Sequence, residues 1–295
     1  MSEPAEPTGP HGERRRIVVS GGTDGMGRAL ALARARRGEH VVVLGSSADK
    51  GRRLLADVDR IGATDRVEFV RVDLSDIGAT RAVVDHILDR YDVVDALLLF
   101  ANRQAPRRVV TADGLESTFA LYYLSRYILG HGLVPALQRS AAPVIVNVAG
   151  TGIEKGRIHW EDLQLEHDYG MVAAQLQAGR ANDLLGVAFA ARADPTPIPY
   201  VLYHPGFTRS GDLSPLSPPL RWMLRAAARL RARPVDVSVA LIHDFIDHPP
   251  DAPLTAIDRG THLPMTFGTL DPADAQRLAA VTGTLLESIA PAGRE

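Results

Sequence analysis

Short apolar runs alternate with longer stretches of helical periodicity through most of this 295-residue chain. Runs of a few almost wholly apolar residues are typical of strands that are covered by helices on both faces of a parallel sheet. Helical patterns separate six such runs, which indicates repeated β-α-β units. The predicted strands are 17–20, 41–44, 67–72, 96–100, 144–148 and 200–203, and the predicted helices lie near 26–38, 48–60, 77–90, 114–138 and 171–192.

The chain after the sixth predicted strand has a different composition. A Pro-rich stretch is followed by Arg221, Arg225 and Arg229 at helical spacing beside apolar residues, which predicts a lid helix with a solvated basic face within 211–233. A basic amphipathic helix for membranes or acidic partners is the alternative interpretation. A helix over 234–247, a strand over 254–258 and a terminal helix over 272–288 complete the pattern.

The whole pattern favours a single α/β domain, with a doubly wound parallel sheet of about seven strands and a C-terminal lid helix. This domain is expected to span 16–290, and the polar, Pro-rich residues 1–15 are expected to form a disordered tail. No apolar run approaches the roughly 20 residues that a membrane-spanning helix needs. We therefore expect no membrane span and a cytoplasmic location.

Composition removes several classes of function. A formal net charge of -2 is not that of the strongly basic domains that bind nucleic acid. Because the chain has no cysteine, it has no disulfide, thiolate metal site or Cys nucleophile, and no metal site is predicted. Lys50 and Lys155 are the only lysines among 33 Lys and Arg residues, which restricts where a lysine can serve in an active site.

A glycine-rich loop joins the first predicted strand to the first helix and reads Ser-Gly-Gly-Thr-Asp-Gly-Met-Gly over residues 20–27. Glycines permit a tight turn and close backbone approach, and the helix N-terminus offers N–H donors to a pyrophosphate. A glycine-rich loop alone can simply turn the chain, but its place between a strand and a helix favours dinucleotide binding. The predicted contacts are Gly21, Thr23, Asp24, Gly25, Met26 and Gly27.

Through this loop and motifs spread over 16–290, the chain resembles the short-chain dehydrogenase/reductase (SDR) family, which has a Rossmann fold. Residues 111–114, Phe119, 156–159 and 162–164 are most similar to its retinol-dehydrogenase-like branch. The resemblance implies a nicotinamide cofactor, a small-molecule substrate and a homo-oligomer formed through the fourth and fifth helices. It also implies cofactor contacts at the adenine side, after the fourth strand and beside the nicotinamide, by Asp73, Leu74, Ala101, Asn102, Pro205, Gly206 and Ser210.

The end of the second predicted strand bears on the choice of cofactor. An NAD site usually has a carboxylate there that accepts a hydrogen bond from the ribose 2′-OH. This chain instead has Ser46 and Ser47, with Lys50 and Arg52 just beyond. Hydroxyl groups and cations could hold a 2′-phosphate, so NADP(H) is favoured over NAD(H). In the alternative interpretation, Lys50 and Arg52 only decorate an exposed helix start.

The residues that perform the chemistry in the SDR family are not found where the resemblance expects them. The family uses a Tyr as proton donor, a Lys four residues later, a Ser and an Asn. Here the resemblance sets Gln175 in the Tyr position, Gly179 in the Lys position and Tyr122 in the Asn position, and Gly150 in the Ser position is followed by Thr151. No Tyr in the chain has a Lys four residues later. Gln cannot donate a titratable proton and Gly cannot lower a neighbour's pKa, so ordinary carbonyl reduction should be impaired.

Tyr122 is a candidate replacement acid, because Arg126 follows one helical turn later and a nearby cation would lower its pKa. In the alternative interpretation, Tyr122 only packs in the core. Thr151 could supply the hydroxyl group that the family takes from its Ser. Three functions remain open: an NADP(H)-dependent oxidoreductase with non-standard proton transfer, a non-redox enzyme such as a cyclase, dehydratase or isomerase, and a catalytically silent NADP-binding protein.

Overall fold

Eight strands form a single sheet in the computed structural model, which describes residues 14–192, 197–206 and 235–289. Their order is β3-β2-β1-β4-β5-β6-β7-β8; neighbours from β3 to β7 pair in parallel and β8 is antiparallel to β7. The predicted doubly wound parallel sheet is therefore confirmed. The strands are β1 (Arg16–Ser20), β2 (His40–Gly45), β3 (Val67–Arg71), β4 (Ala96–Leu99), β5 (Val144–Val148), β6 (Tyr200–His204), β7 (Leu254–Asp258) and β8 (Thr261–His262).

Helices fill both sides of this sheet, and the predicted helix near 114–138 is divided into several segments. The helices are α1 (Gly25–Arg36), α2 (Ala48–Arg60), α3 (Ile77–Arg90), α4 (Ser117–Phe119), a π-helical turn (Ala120–Leu124), α5 (Ser125–Gly132), α6 (Val134–Leu137), α7 (Met171–Ala190), α8 (Val235–Asp247) and α9 (Pro272–Ser288). In the part of the chain that the structure describes, no helix has the length and apolar character needed to cross a membrane. Most of the predicted tail, the lid region over 211–233 and Ser210 lie outside the described residues.

The apolar runs of the strands are explained by two separate hydrophobic cores, one on each face of the sheet. In β4, Ala96 and Leu98 join the core beneath α1 and α8, whereas Leu97 and Leu99 join the core beneath α3, α5 and α7. Because successive side chains of a strand point to opposite faces, burial on both faces requires an apolar residue at every position. Polar functional side chains are therefore expected at the carboxyl ends of the strands, where the apolar runs stop.

The terminal helix α9 covers the outside of the segment that follows β4. The Tyr123 hydroxyl lies 2.7 Å from the Thr282 hydroxyl, and Arg81 donates to the carbonyl oxygens of Leu286 at 2.6 Å and Ile289 at 3.0 Å. This segment and α7, against which α9 also packs, are the helices through which the resemblance implied oligomer formation. A homo-oligomer stays a prediction, and its contacts on this face would include α9.

A buried cation fastens α1 to α8. Arg34 is fully buried, and its Nη1 donates to Asp247 Oδ1 at 2.6 Å and to Glu39 Oε1 at 3.2 Å, while Nη2 donates to the His243 carbonyl oxygen at 2.6 Å. Burial raises the pKa of Glu39 more than Arg34 lowers it. The guanidinium is therefore the charge that makes burial of the Glu39 carboxylate tolerable.

Replacing Arg34 should strongly destabilise the protein. In Arg34→Met, the Glu39 carboxylate would remain buried without its main cation, and breaking a buried pair in this way costs about 3–5 kcal/mol of unfolding free energy. Urea denaturation would measure the loss. Arg36→Met, on the exposed side of the same helix, is the control and should change stability by no more than about 0.5 kcal/mol. Equal losses in the two variants would contradict the role given to Arg34.

Candidate cofactor and active site

The predicted cofactor residues meet at one edge of the sheet. They lie in the loops that follow strands or in the first turn of the helix after such a loop, and the carboxyl ends of parallel strands share one edge, where doubly wound folds bind their ligands. Five loops contribute, after β1, β2, β3, β4 and β6. The residues brought to this edge are Gly21, Thr23, Asp24, Gly25, Met26, Gly27, Ser46, Ser47, Lys50, Asp73, Leu74, Ala101, Asn102, Pro205 and Gly206.

The loop after β1 needs its glycines for close packing. Gly21 has a φ of +70°, and a Cβ at this position would lie 2.7 Å from the backbone nitrogen of Ala101. A Cβ at Gly27 would lie 2.6 Å from the Gly21 carbonyl oxygen. The loop thus packs closely against the residues that follow β4, and the first turn of α1 packs against the loop. Asp24 accepts from the Gly25 N–H at 2.8 Å as the cap of α1. The geometry is that of a helix N-terminus prepared for an anion.

Cations surround this loop on the side of α2. Lys50 Nζ lies 2.8 Å from Asp24 Oδ2, and both residues line a cleft of about 170 Å³ with Thr23, Arg28 and Arg53. Lys50 therefore lies beside the glycine loop, and its predicted contact with the 2′-phosphate stays a prediction. Arg52, the second expected cation, is exposed and pairs with Asp49.

Two arginines that the sequence analysis did not select surround Ser46. Arg103 Nη2 donates to Ser46 Oγ at 3.1 Å, and Arg71 Nε donates to the Ser46 carbonyl oxygen at 3.3 Å. Ser47 accepts from the Lys50 N–H at 3.3 Å as the cap of α2. Arg71 ends β3 and Arg103 follows β4, so only the order of strands in the sheet brings them to Ser46.

A wider cleft lies beside the turn after β3, where the resemblance expected the adenine. Asp73 Oδ1 accepts from the Ser75 N–H at 3.0 Å and from the Ser75 hydroxyl at 2.7 Å, which fixes the turn after β3, and Leu74 beside it is buried. A cleft of about 500 Å³ lies between this turn and the loop after β4, with Arg103 and Leu121 among its lining residues. Its size and mixed lining suit an aromatic base with a polar edge.

Arg126 ties the ends of two strands together beneath this edge. It is fully buried and donates to the carbonyl oxygens of Ala101 at 3.0 Å and Val148 at 2.9 Å, and to the Asn147 side chain. Its guanidinium carbon lies 4.6 Å from the centre of the Tyr122 ring. The charge of Arg126 is thus directed mainly to backbone and amide oxygens.

The expected activation of Tyr122 by Arg126 is wrong in its net direction. Burial raises the pKa of Tyr122, and the lowering by Arg126 is a smaller effect. The ring packs with Ala149 and Ala178, and the residue is only 6% exposed. A catalytic role for the Tyr122 hydroxyl stays a prediction, but the expected lowering of its pKa no longer supports that role.

A chain of buried amides links the π-helical turn to α7 and the sheet. Asn182 Nδ2 donates to the Tyr122 carbonyl oxygen at 2.7 Å, and Asn147 Nδ2 donates to Asn182 Oδ1 at 3.0 Å and to the Tyr200 hydroxyl at 2.9 Å. A π-helical turn shifts the helical hydrogen-bond pattern, so side chains must satisfy carbonyl groups that it frees. Such turns are frequent at functional sites.

The side chain at the predicted Tyr position, Gln175, forms an amide pair across the edge of the site. Asn102 Nδ2 donates to Gln175 Oε1 at 3.0 Å, and Gln175 Nε2 donates to Asn102 Oδ1 at 3.2 Å and to the Arg103 carbonyl oxygen at 3.0 Å. The structure therefore sets Gln175 on α7 opposite the loop after β4, where a proton donor was expected. Neither lysine of the chain lies on α7.

Thr151 is fully buried and its hydroxyl faces Asp183 of α7, so a substrate could reach it only if the loop after β5 uncovered it. Asp183 Oδ2 accepts from the Gly152 N–H at 3.1 Å. The hydroxyls of Thr151 and Thr269 lie near enough to lower the pKa of Asp183, but they complete no hydrogen bond of good geometry to Oδ1. Burial dominates and raises this pKa to about 6.

Asp183 was missed in the sequence because its neighbours come from distant segments, the loop after β5 and the residues before α9. The sequence does contain one sign of this residue. Asp183 interrupts the apolar pattern of α7 four residues after Gly179, on the helix face where the family has its lysine.

Comparison with known proteins decides the family. The family model for short chain dehydrogenases matches residues 15–161. A protein named "Putative daunorubicin C-13 ketoreductase" from Streptomyces sp. (strain C5) is 30% identical over 204 residues, which cover 68% of this chain and 69% of that protein. The chain belongs to the short-chain dehydrogenase/reductase family.

Other relatives of this SDR protein agree with the retinol-dehydrogenase-like branch. Human retinol dehydrogenase 11 is 30% identical over 207 residues, which are 70% of this chain and 65% of that protein, so the match spans less than two thirds of the relative's length.

Solved structures are similar in fold. An uncharacterised protein from Mycobacterium paratuberculosis has a TM-score of 0.71 at 21% identity, with 92% of this chain and 93% of that chain covered. A Shigella flexneri short-chain dehydrogenase crystallised with NADP has a TM-score of 0.59 at 16% identity, with 84% and 97% covered. These structures share the fold.

Asp183 should make the stability of this SDR protein depend on pH. Because its pKa is raised from an ordinary value of 3.8 to about 6, the folded state loses stability as the pH rises through 6, and the stabilising effect is complete only below about pH 4. In Asp183→Asn this loss should be absent, which amounts to about 3 kcal/mol between pH 4 and pH 7.5. Chemical denaturation of both proteins across this range would measure it. Parallel pH profiles would show that Asp183 titrates normally.

Proposed function

We propose that this protein is an NADP(H)-binding oxidoreductase that acts on a small organic substrate with non-standard proton transfer. The family model that the chain matches is that of short chain dehydrogenases, which are oxidoreductases with a nicotinamide cofactor. The observation that carries the choice of NADP(H) is the pair of arginines around Ser46. Arg103 donates to the Ser46 hydroxyl and Arg71 donates to the Ser46 carbonyl oxygen. Two guanidinium groups therefore lie at the end of β2, where an NAD site has a carboxylate, and they suit a 2′-phosphate.

The remaining residues at this edge fit the rest of such a cofactor. The glycine loop and the N-terminus of α1, with Lys50 beside them, would hold the pyrophosphate, and the cleft beside Asp73 would hold the adenine. Pro205 and Gly206, which follow β6, would border the nicotinamide. When bound, the reduced nicotinamide supplies a hydride, and the protein supplies position and electrostatics. The Shigella flexneri relative crystallised with NADP agrees with this assignment.

The proton in the reaction must come from a source other than a Tyr–Lys pair. Gln175 carries no titratable proton, its amide is already paired with Asn102, and no Tyr precedes a Lys by four residues. A positioned acid contributes about 10²–10⁴-fold to a rate, so simple ketones should be poor substrates. Acceptors that accept a hydride with little help from an acid are the better candidates, namely activated C=C bonds, quinones and iminium ions.

A second candidate, a catalytically silent NADP-binding protein, is favoured by the amide pair itself. Gln175 and Asn102 satisfy each other where other family members perform chemistry, and a sensor needs only the nucleotide site. The two candidates differ in one observable. Stoichiometric NADPH mixed with the protein and a panel of activated acceptors should lose its absorbance at 340 nm in a single turnover if the protein is an oxidoreductase. A preserved signal with every acceptor would favour the silent binding protein.

Selectivity for NADPH should depend on Arg103. In Arg103→Ala the 2′-phosphate would lose one charge-assisted contact, which is worth about 1.5–3 kcal/mol, so the Kd for NADPH should rise about 10-fold or more while that for NADH changes little. Fluorescence titration of both nucleotides would measure this.

Arg52→Ala is the matched control for this selectivity. It removes an exposed arginine of α2 that pairs with Asp49, and both affinities should stay near those of the parent. If Arg103→Ala weakened NADPH and NADH equally, the assignment of the 2′-phosphate site would fail. If neither nucleotide bound the parent protein, both candidate functions would fall.

A further inference from the structure

His204 and Asp258 form a hydrogen-bonded pair at the edge of the sheet where the candidate cofactor residues meet. They lie opposite one another in the register of β6 and β7, and His204 Nδ1 lies 2.8 Å from Asp258 Oδ1. His204 is the last residue of β6 and directly precedes Pro205 and Gly206, which would border the nicotinamide in the proposed function. A histidine held by a carboxylate is a combination that proteins use to transfer protons.

The register of the sheet sets the His204 side chain on the face that α7 covers. Leu202 of β6 belongs to the core beneath α3, α5 and α7, and side chains two residues apart on a strand share a face. The Ala149 N–H donates to the Tyr203 carbonyl oxygen at 3.0 Å, which continues the pairing of β5 with β6, so Ala149 lies beside His204. Gly150, in the position where the family has its Ser, follows directly.

The turn after β7 fixes the Asp258 carboxylate. Arg259 has a φ of +51°, which is uncommon for a residue with a side chain, and Gly260 follows with a φ of +91°. Arg259 donates from Nη2 to Asp258 Oδ2 at 2.8 Å and from Nε to Oδ1 at 3.0 Å, and its backbone N–H donates to the His204 carbonyl oxygen at 2.7 Å. A Cβ at Gly152 would lie 3.7 Å from the Asp258 Cβ, so the loop after β5 passes beside the pair.

The second ring nitrogen of His204 is available to exchange a proton. Burial alone would raise the pKa of Asp258, but Arg259 and His204 lower it below its ordinary value, so the carboxylate is ionised at neutral pH. Burial lowers the pKa of His204 more than Asp258 raises it, and Arg259 lowers it further, so the imidazole is mainly neutral there. An ionised carboxylate can only accept, so Nδ1 carries the proton. Nε2 has no hydrogen-bond partner among the described residues, and the side chain is 22% exposed.

We propose that His204 is a catalytic residue that exchanges a proton with the substrate oxygen, and that Asp258 is the residue that positions it. The proposal deepens the proposed function, on which it rests for the hydride donor, by naming the group behind the non-standard proton transfer. It also names a substrate class, namely acceptors in which negative charge develops on oxygen, such as a C=C bond conjugated to a carbonyl group, or a quinone.

The step balances with His204 as the acid. Hydride addition to the β-carbon of a conjugated C=C bond forms a C–H bond, and the π electrons move to the carbonyl oxygen to give an enolate. His204, protonated from solvent, breaks its Nε2–H bond and gives the proton to this oxygen, which leaves the imidazole neutral and the nicotinamide donor oxidised by two electrons. Asp258 stabilises the imidazolium before the transfer. Because the protonated form is the minor one at neutral pH, reduction should become faster as the pH falls.

The test uses the full chain and follows single turnovers of NADPH at 340 nm with two probes, 2-cyclohexen-1-one and 9,10-phenanthrenequinone. The parent rate should rise as the pH falls from 8 to 6, by up to about 10-fold for each pH unit. In His204→Gln, whose amide can still donate to Asp258, the rate should fall at least about 100-fold and lose this rise, while NADPH affinity is retained. His262→Gln, which changes an exposed histidine of β8, is the control and should match the parent.

Asp258→Asn separates orientation of the imidazole from simple structural support. Because Asp258 raises the pKa of His204, its loss should lower that pKa, which NMR of the ring proton measures without any cofactor. The rise in rate should then move to lower pH. A purely structural pair would lose stability in this variant, but the pH profile of the rate would stay unchanged.

A measurement on the unaltered protein tests where His204 lies. Diethyl pyrocarbonate acylates unprotonated imidazole nitrogens, and peptide mass spectrometry reports each histidine separately. His204 should be modified in the free chain and protected several-fold by saturating NADP⁺. The exposed His262 should be modified equally in both states.

An unchanged rate in His204→Gln, or equal modification of His204 with and without bound NADP⁺, would overturn its role in proton transfer and leave the oxidoreductase standing. Failure of NADPH to bind would remove the oxidoreductase and this role together. Binding without turnover of either probe would favour the silent binding protein and would also overturn the role of His204. The failures are therefore distinguishable.

Discussion

Arg126 is fully buried and donates hydrogen bonds to backbone carbonyl groups at the ends of two neighbouring strands, β4 and β5. Much of the candidate site at this edge of the sheet depends on these hydrogen bonds. Burial lowers the pKa of this guanidinium to about 10, so it is still charged at neutral pH, although no carboxylate pairs with it in the described residues. Carbonyl dipoles and the Asn147 amide stabilise the charge instead. The rigid, planar donor group of arginine suits this task because it can hold several acceptors in fixed relative positions.

Several features of the site follow from this tie. Arg126 binds the Ala101 carbonyl group, which directly precedes Asn102 and Arg103 in the loop after β4. It also binds the Val148 carbonyl group, from which the loop after β5 begins. Asn147 connects Arg126 to Asn182, which satisfies the π-helical turn. The nucleotide side and the inner side of the edge therefore share one buried polar network. Such networks specify a unique arrangement only when their members are satisfied.

The division between what the sequence predicts and what it does not has a physical basis. The seven parallel strands were predictable because burial on both faces demands uninterrupted apolar runs, and the glycine loop was predictable because its sterics are local. The two-residue β8 is too short to carry a pattern; a turn with positive φ at Arg259 and Gly260 creates it. Arg71, Arg103, Arg126 and Asp183 gain their roles from residues far away in the chain, and local patterning does not report such contacts.

The reciprocal amide pair between Asn102 and Gln175 makes two positions interdependent. By the family pattern, a tyrosine would stand at 175, and its single hydroxyl group cannot form both hydrogen bonds that the Asn102 amide makes with the Gln175 amide. Changing one position alone leaves the other amide without its partner, so the effects of the two changes will not add. The hydrogen-bond geometry thus makes the two positions epistatic. A return to the family's chemistry, in evolution or in the laboratory, would have to alter the loop after β4 together with the helix opposite it.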